Sequence, residues 1–127
     1  MQLARLGALA ADPSTNPMHH VHETDLPAKG LSREFVGADH GDVNLSAYFV
    51  RAEPGQGPGP HRHPYDEVVI VQAGRVEWTV DGRTFEAGPG EIVIAKAGEV
   101  HSFTCVSDGP LVQLDLHLAP RFVQENL

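Results

Sequence analysis

Residues 55–74 read GQGPGPHRHPYDEVVIVQAG: a loop, a histidine pair, a proline corner and an apolar run closed by glycine. The first six residues are so rich in glycine and proline that neither helix nor strand can cross them. His61 and His63 stand two apart, so on an extended segment both imidazoles leave the same face and can share a ligand. Glu67 opens a short strand-like run, Glu67–Val71. On a straight strand rising about 3.3 Å per residue, Glu67 would lie roughly 20 Å from His61. Zinc–nitrogen and zinc–oxygen bonds are only about 2.0–2.2 Å long, so the two meet on one ion only if the chain reverses. Pro64-Tyr65-Asp66 supplies the reversal, because proline cannot donate to a sheet ladder and suits a turn between two antiparallel strands.

The same punctuation extends in both directions. Upstream, residues 43–52 (VNLSAYFVRA) read as a strand. Downstream, Arg75–Val80, Arg83–Glu86, Glu91–Ala95, His101–Ser107 and Leu111–Leu118 are each four to eight residues long and separated by turn residues. Asp81-Gly82 lies between alternating runs and favours a two-residue type I′ hairpin, which needs positive φ at both positions. In the last run Val112, Leu114, Leu116 and Leu118 fall on one face and Gln113, Asp115 and His117 on the other, the period of two expected when one face is buried. No helix longer than about two turns is evident after residue 40, and no internal repeat. The chain is therefore expected to be all-β, a sandwich or barrel. Residues 1–30, with Pro13, Pro17 and Pro27, read as an irregular arm, and residues 31–127 as the barrel domain.

Composition narrows the function. The balance of 41% hydrophobic and 20% charged residues over 127 residues is that of one globular domain. A formal net charge of -8, without a local cluster of lysine and arginine, argues against a nucleic-acid partner. Cys105 is the lone cysteine, so an intrachain disulfide is excluded and the cytoplasm is the default compartment. Leu3–Ala11 (LARLGALAA) is too short, and too interrupted by Gly7, to be preferred as a signal peptide, and no window approaches a membrane span. Eight histidines against two tyrosines and one tryptophan is lopsided, and histidine is the commonest metal ligand.

An HxH pair alone is as well explained by unrelated surface or core histidines, but its setting is more specific. Gly55-QGPGP-His61-R-His63-PYD-Glu67-VVIVQA-Gly74 resembles the first motif of the cupin family, G(X)5HXH(X)3–4E(X)6G, at every fixed position. Gly90-EIVIA-Lys96-A-Gly98-EV-His101-SFT-Cys105 resembles the second, G(X)5PXG(X)2H(X)3N, at both glycines and the histidine. Lys96 replaces the usual proline and Cys105 the frequent asparagine; neither position carries a metal ligand in the family pattern. The short interval Arg75–Pro89 looks like the compact form, and the resemblance covers roughly residues 43–118.

The resemblance implies a jelly-roll, or double-stranded β-helix, barrel with an interior cavity. Position by position, it makes His61, His63, Glu67 and His101 the ligands of one divalent transition metal. Three neutral imidazoles and a carboxylate suit Fe, Mn, Ni, Co or Zn and leave positions open for a substrate. Glu67 could instead serve as a catalytic base beside a metal held by three histidines. Phe103 and Cys105 share the parity of His101 and should line the interior, with Cys105 a small buried hydrophobe rather than a nucleophile. Tyr48 and His117 either face the cavity or serve in packing or at the surface. His19, His20 and His22 could catch metal, but no carboxylate stands at informative spacing.

Two functions follow from the resemblance. One is a metal-dependent enzyme acting on a small organic molecule, of dioxygenase, isomerase or lyase type. The other is a non-catalytic module that binds or senses a small molecule. Leu118–Leu127 carries no DNA-binding helices of the kind attached to sensing domains, which favours the enzyme. A homodimer is expected from the resemblance and from apolar strands that a small barrel cannot cover.

Overall fold

The computed structural model describes residues 19–127. Eleven strands form two antiparallel sheets: β1 (Ala28–Lys29), β2 (Ser32–Phe35), β3 (Ser46–Ala52), β4 (His61–Arg62), β5 (Glu67–Ala73), β6 (Val76–Val80), β7 (Arg83–Ala87), β8 (Ile92–Ala95), β9 (His101–Cys105), β10 (Leu111–His117) and β11 (Glu125–Asn126). Their order is β1-β2-β3-β10-β5-β8 in one sheet and β11-β4-β9-β6-β7 in the other. The strands expected from sequence are present with ends shifted by one to three residues. Asp81 and Gly82 adopt φ of 51° and 85°, as the hairpin between β6 and β7 requires. Among the described residues the only helical elements are two 3-10 turns, Glu23–Asp25 and Gly37–Asp39. No described helix is long and apolar enough to cross a membrane.

The two sheets close on a core of Val50, Val69, Val71, Val76, Trp78 and Leu111, with Phe103 and Cys105 alongside. Burial of these side chains, at roughly 25 cal/mol per Å² of apolar area, is what holds sheet to sheet. The expected reversal at Pro64-Tyr65-Asp66 is not a hairpin. β4 and β5 belong to different sheets, so these residues form a corner that carries the chain from one wall of the barrel to the other.

In β10 the alternation is present, but the more deeply buried face is the polar one. Gln113, Asp115 and His117 are 1%, 4% and 1% exposed, whereas Val112, Leu114 and Leu116 are half-buried on the outside. Polar groups tolerate burial when they find partners, and Gln113 Nε2 donates to Asp115 Oδ1 at 2.9 Å. The inner face of β10 therefore adds polar groups to the interior at this end of the barrel.

Two segments outside the expected strands complete the barrel. The described part of the arm is packed against it: Leu26 is buried, and β1 pairs with β2 through Ala28↔Arg33 and Lys29↔Ser32. The C-terminal segment folds back so that β11 pairs with β4 through Glu125↔Arg62 and Asn126↔His61.

Candidate metal centre

His61 stands opposite His101 across β4 and β9, and Glu67 opens β5 opposite His117 of β10. His63 follows β4 directly. The barrel thus brings His61, His63, Glu67 and His101 together, all buried, with one ligating atom from each within 4.8 Å of the others. Glu67 Oε1 lies 3.2 Å from His63 Nε2 and 3.1 Å from His101 Nε2.

Each of the three imidazoles is oriented by a backbone carbonyl. His61 Nδ1 lies 2.8 Å from Gly59 O, His63 Nδ1 2.7 Å from Val123 O and His101 Nδ1 2.9 Å from Glu99 O. A carbonyl only accepts, so Nδ1 carries the proton and each Nε2 turns toward the centre. His63 Nε2 is fully buried and, despite its closeness to Glu67, is not angled to form a hydrogen bond. A buried ring nitrogen without a partner costs free energy that a cation would recover. Atoms about 2.0–2.2 Å from one ion lie roughly 3–4 Å apart, so the four groups fit a transition ion with slight contraction. Imidazole and carboxylate donors suit the borderline divalent metals.

The electrostatics agree with an anionic Glu67 among imidazoles. Burial alone would raise its carboxyl, but His101, His117 and His63 together outweigh this and hold it well below the usual carboxylate range. Burial likewise lowers His61, reinforced by its neighbours His101 and His63 against the Gly59 hydrogen bond. For His101 the burial effect is overcome by Glu67 and Glu99, so its imidazole is raised. Burial, and then the charge of Glu67, push Asp115 well above the usual carboxylate range.

Around this group stands a shell that sequence reading largely missed. Tyr65, stacked on His63 with ring centroids 5.1 Å apart, places its hydroxyl 2.7 Å from His117 Nδ1 and accepts the Val123 N–H at 3.2 Å. Burial raises the Tyr65 hydroxyl to about 12; with its oxygen accepting the Val123 N–H, the hydroxyl proton is free to go to Nδ1. His117 then carries its proton on Nε2, 3.5 Å from Glu67 Oε2. Val123 therefore anchors His63 directly through its carbonyl and His117 indirectly through Tyr65. The polar parity of β10 was the signal for Asp115 and His117. Nothing in the local pattern marked Val123.

The two departures from the motifs find roles. Lys96 Nζ pairs with Asp66 Oδ2 at 2.7 Å, and Asp66 Oδ1 accepts the Ala97 N–H at 2.9 Å. Lys96 thus ties the corner between His63 and Glu67 to the turn leading into His101. Cys105 lies in the apolar core, where its thiol donates to Gly109 O at 3.6 Å, and no base adjoins it. His19, His20 and His22 are exposed; His22 caps the first 3-10 turn by accepting the Thr24 N–H, and none of them joins a metal-capable group among the described residues.

The centre opens on a chamber of about 630 Å³, within the range of small-molecule sites. His61 and Glu67 reach its wall from the metal side, with Asp115 and His117 beside them. Tyr48 lines it, and its ring stacks on Phe122 at 4.0 Å.

The model of the cupin domain family matches residues 48–117, more than half of the chain. A Klebsiella pneumoniae protein with a double-stranded β-helix domain is 21% identical with a TM-score of 0.67, covering 84% of this chain and 96% of that one. Bacillus subtilis oxalate decarboxylase, studied for its Mn(II) centres, is 22% identical with a TM-score of 0.72, covering 80% of this chain and 30% of that one. The Lactobacillus farciminis oxalate decarboxylase in complex with formate is 20% identical with a TM-score of 0.74, covering 94% and 40%. The chain thus spans less than half the length of these two decarboxylases, and at such identities the likeness is one of fold. No curated protein matches the sequence. The family match, the two-sheet barrel and the motif residues gathered at one end of it agree: the chain belongs to the cupin family.

Proposed function

We propose that the chain holds one divalent transition metal through His61, His63, Glu67 and His101 and uses it as an enzyme on a small organic molecule bound in the adjoining chamber. The observation that carries this reading is the convergence of three carbonyl-oriented imidazoles and one carboxylate, all buried, at the inner end of a chamber large enough for a substrate. A metal there would supply Lewis acidity, or a site for dioxygen, to a substrate oxygen. Glu67, held anionic by its neighbours, balances part of the metal charge and serves as ligand rather than base, since Oε1 faces two of the histidines. Tyr65 and His117 orient it.

Metal analysis of protein purified without added metal is expected to find close to one ion per chain, with His61→Ala and His63→Ala largely empty. Equal content in parent and variants would refute the ligand set. With occupancy matched, Glu67→Gln should lose far more turnover than substrate affinity, because the change acts on the metal's charge. Oxygen consumption would identify a dioxygenase, and conversion without oxygen an isomerase or lyase. Tight binding with no conversion would replace the enzyme by the non-catalytic binding module.

The same reading includes a homodimer. The outer face of the larger sheet presents Val68, Ile70, Ile92, Ile94, Leu114 and Leu116, joined by the pairs Val68↔Ile94, Ile70↔Ile92 and Ile70↔Leu114. Ile92 and Ile94 are 62% and 55% exposed. A continuous apolar patch of this kind is matched by a second copy of itself across a two-fold axis. A cytoplasmic location also belongs to this reading, supported by a lone, buried Cys105.

A further inference from the structure

Three properties of the chamber bear on what it admits. The first is its wall. Leu31, Val50, Phe103 and Phe122 line it together with the Tyr48 ring. Tyr48 and Phe122 stack face to face within 10° of parallel, an aromatic slab two rings thick whose outer face suits a planar ring.

The second is its charge. Glu34 and Asp115 flank Tyr48 on neighbouring strands, each directly opposite it in register, so all three share the inner face. With Glu67 they place three carboxyl groups on the lining, against Lys29 as the one cationic side chain among the described lining residues. Lys29 is exposed at the edge strand β1.

The third is an unmet hydrogen bond. His117 is 1% exposed and lines the chamber, and its Nε2 has no hydrogen-bond partner. With Tyr65 on Nδ1, Nε2 faces Glu67 Oε2 at 3.5 Å without closing a hydrogen bond, so an acceptor oxygen of a bound molecule can compete for it beside the metal centre.

We propose that the chamber takes an uncharged organic molecule with an apolar, ring-sized body and an oxygen-bearing head directed at His117 and the metal, and that it discriminates against small dicarboxylates such as oxalate. The proposal rests on the metal-dependent reading above and names its substrate class. A two-carbon dianion would leave most of the 630 Å³ unfilled and bring its charge toward Glu34 on the wall. An uncharged ring desolvates cheaply, fills the apolar part and leaves its oxygen to His117 and the ion.

The test is calorimetric titration of zinc-loaded protein at neutral pH with catechol, 1,2-cyclohexanedione and oxalate, after metal content has been measured on the same sample. The two ring compounds should bind at least about tenfold more tightly than oxalate. Glu34→Gln removes one carboxylate from the wall at constant size and should tighten oxalate about threefold or more while leaving catechol nearly unchanged. Phe122→Ala removes half of the aromatic slab and should weaken catechol about tenfold with little effect on oxalate. Oxalate binding as tightly as the ring compounds, or variants that move neither ligand, would overturn the proposal. Loaded protein that binds none of the three would refute the substrate class alone. A chain that takes up no metal would refute the metal centre and, with it, this inference.

Discussion

Replacing Tyr65 with phenylalanine isolates one atom of the network behind the metal centre. The ring and its stack on His63 are kept, while the hydroxyl that accepts from Val123 N–H and donates to His117 Nδ1 is lost. His117 then has no fixed tautomer, and its Nε2–H no longer faces Glu67 Oε2 reliably. Val123, whose carbonyl orients His63, loses one of its two anchors. Removing one partner of a buried hydrogen bond costs about 1–3 kcal/mol. The loss of a group that orients a metal ligand independently lowers affinity by about 10–100-fold. At about 1.4 kcal/mol per tenfold, the second figure is roughly 1.4–2.8 kcal/mol, so the two agree. The assay is competition for zinc against a chelator of known affinity, with metal-free melting measured in parallel. A general structural defect would lower metal-free melting and leave zinc affinity unchanged, whereas loss of orientation weakens zinc itself. Zinc affinity within about twofold of the parent would refute the argument that Tyr65 acts on the centre.

Further consequences can be checked in the same preparations. Chelation should lower the melting temperature, since an ion bound only by the folded state at a thousand times its dissociation constant contributes about 4 kcal/mol; an unchanged melt with metal shown to be gone would contradict a folded-state site. Zinc affinity should fall as pH drops. His101 is raised above the ordinary histidine value of about 6.5, so its proton competes with the metal from near neutrality downward. An affinity flat from pH 8 to pH 6, measured by the same competition, would contradict this. Light scattering of the parent should give about twice the 13.7 kDa chain mass. Ile94→Lys on the exposed sheet face should give the single-chain mass; a parent that is already monomeric would remove the dimer.

How much of this was legible in the sequence depended on the range over which each feature is determined. The hairpin at Asp81-Gly82 and the strands around it are fixed locally, by turn chemistry and period, and they appear where the pattern places them. The four candidate ligands were legible because motif spacing encodes a register: His61 opposite His101 is a direct consequence of which strands pair. The corner at Pro64–Asp66 was read correctly as a reversal and incorrectly as a hairpin. A proline breaks a ladder whether the chain then turns back within one sheet or crosses to the other.

β10 shows where local reading stops. Its alternation of apolar and polar residues is the pattern of a strand with one face in an apolar core and one in water, and the structure turns it the other way. What decides the face is the neighbouring strands: β3 and β5 present Tyr48 and Glu67 inward, and the register places Asp115 and His117 beside them. The apolar face is then left outside, where Leu114 and Leu116 lie against Ile70 and Val68 and join the surface assigned to a second copy. The polar inner face of β10 and its apolar outer face therefore have one cause. A strand that turns its polar residues inward leaves its apolar ones on the outer sheet face, where a second copy is the cover proposed above.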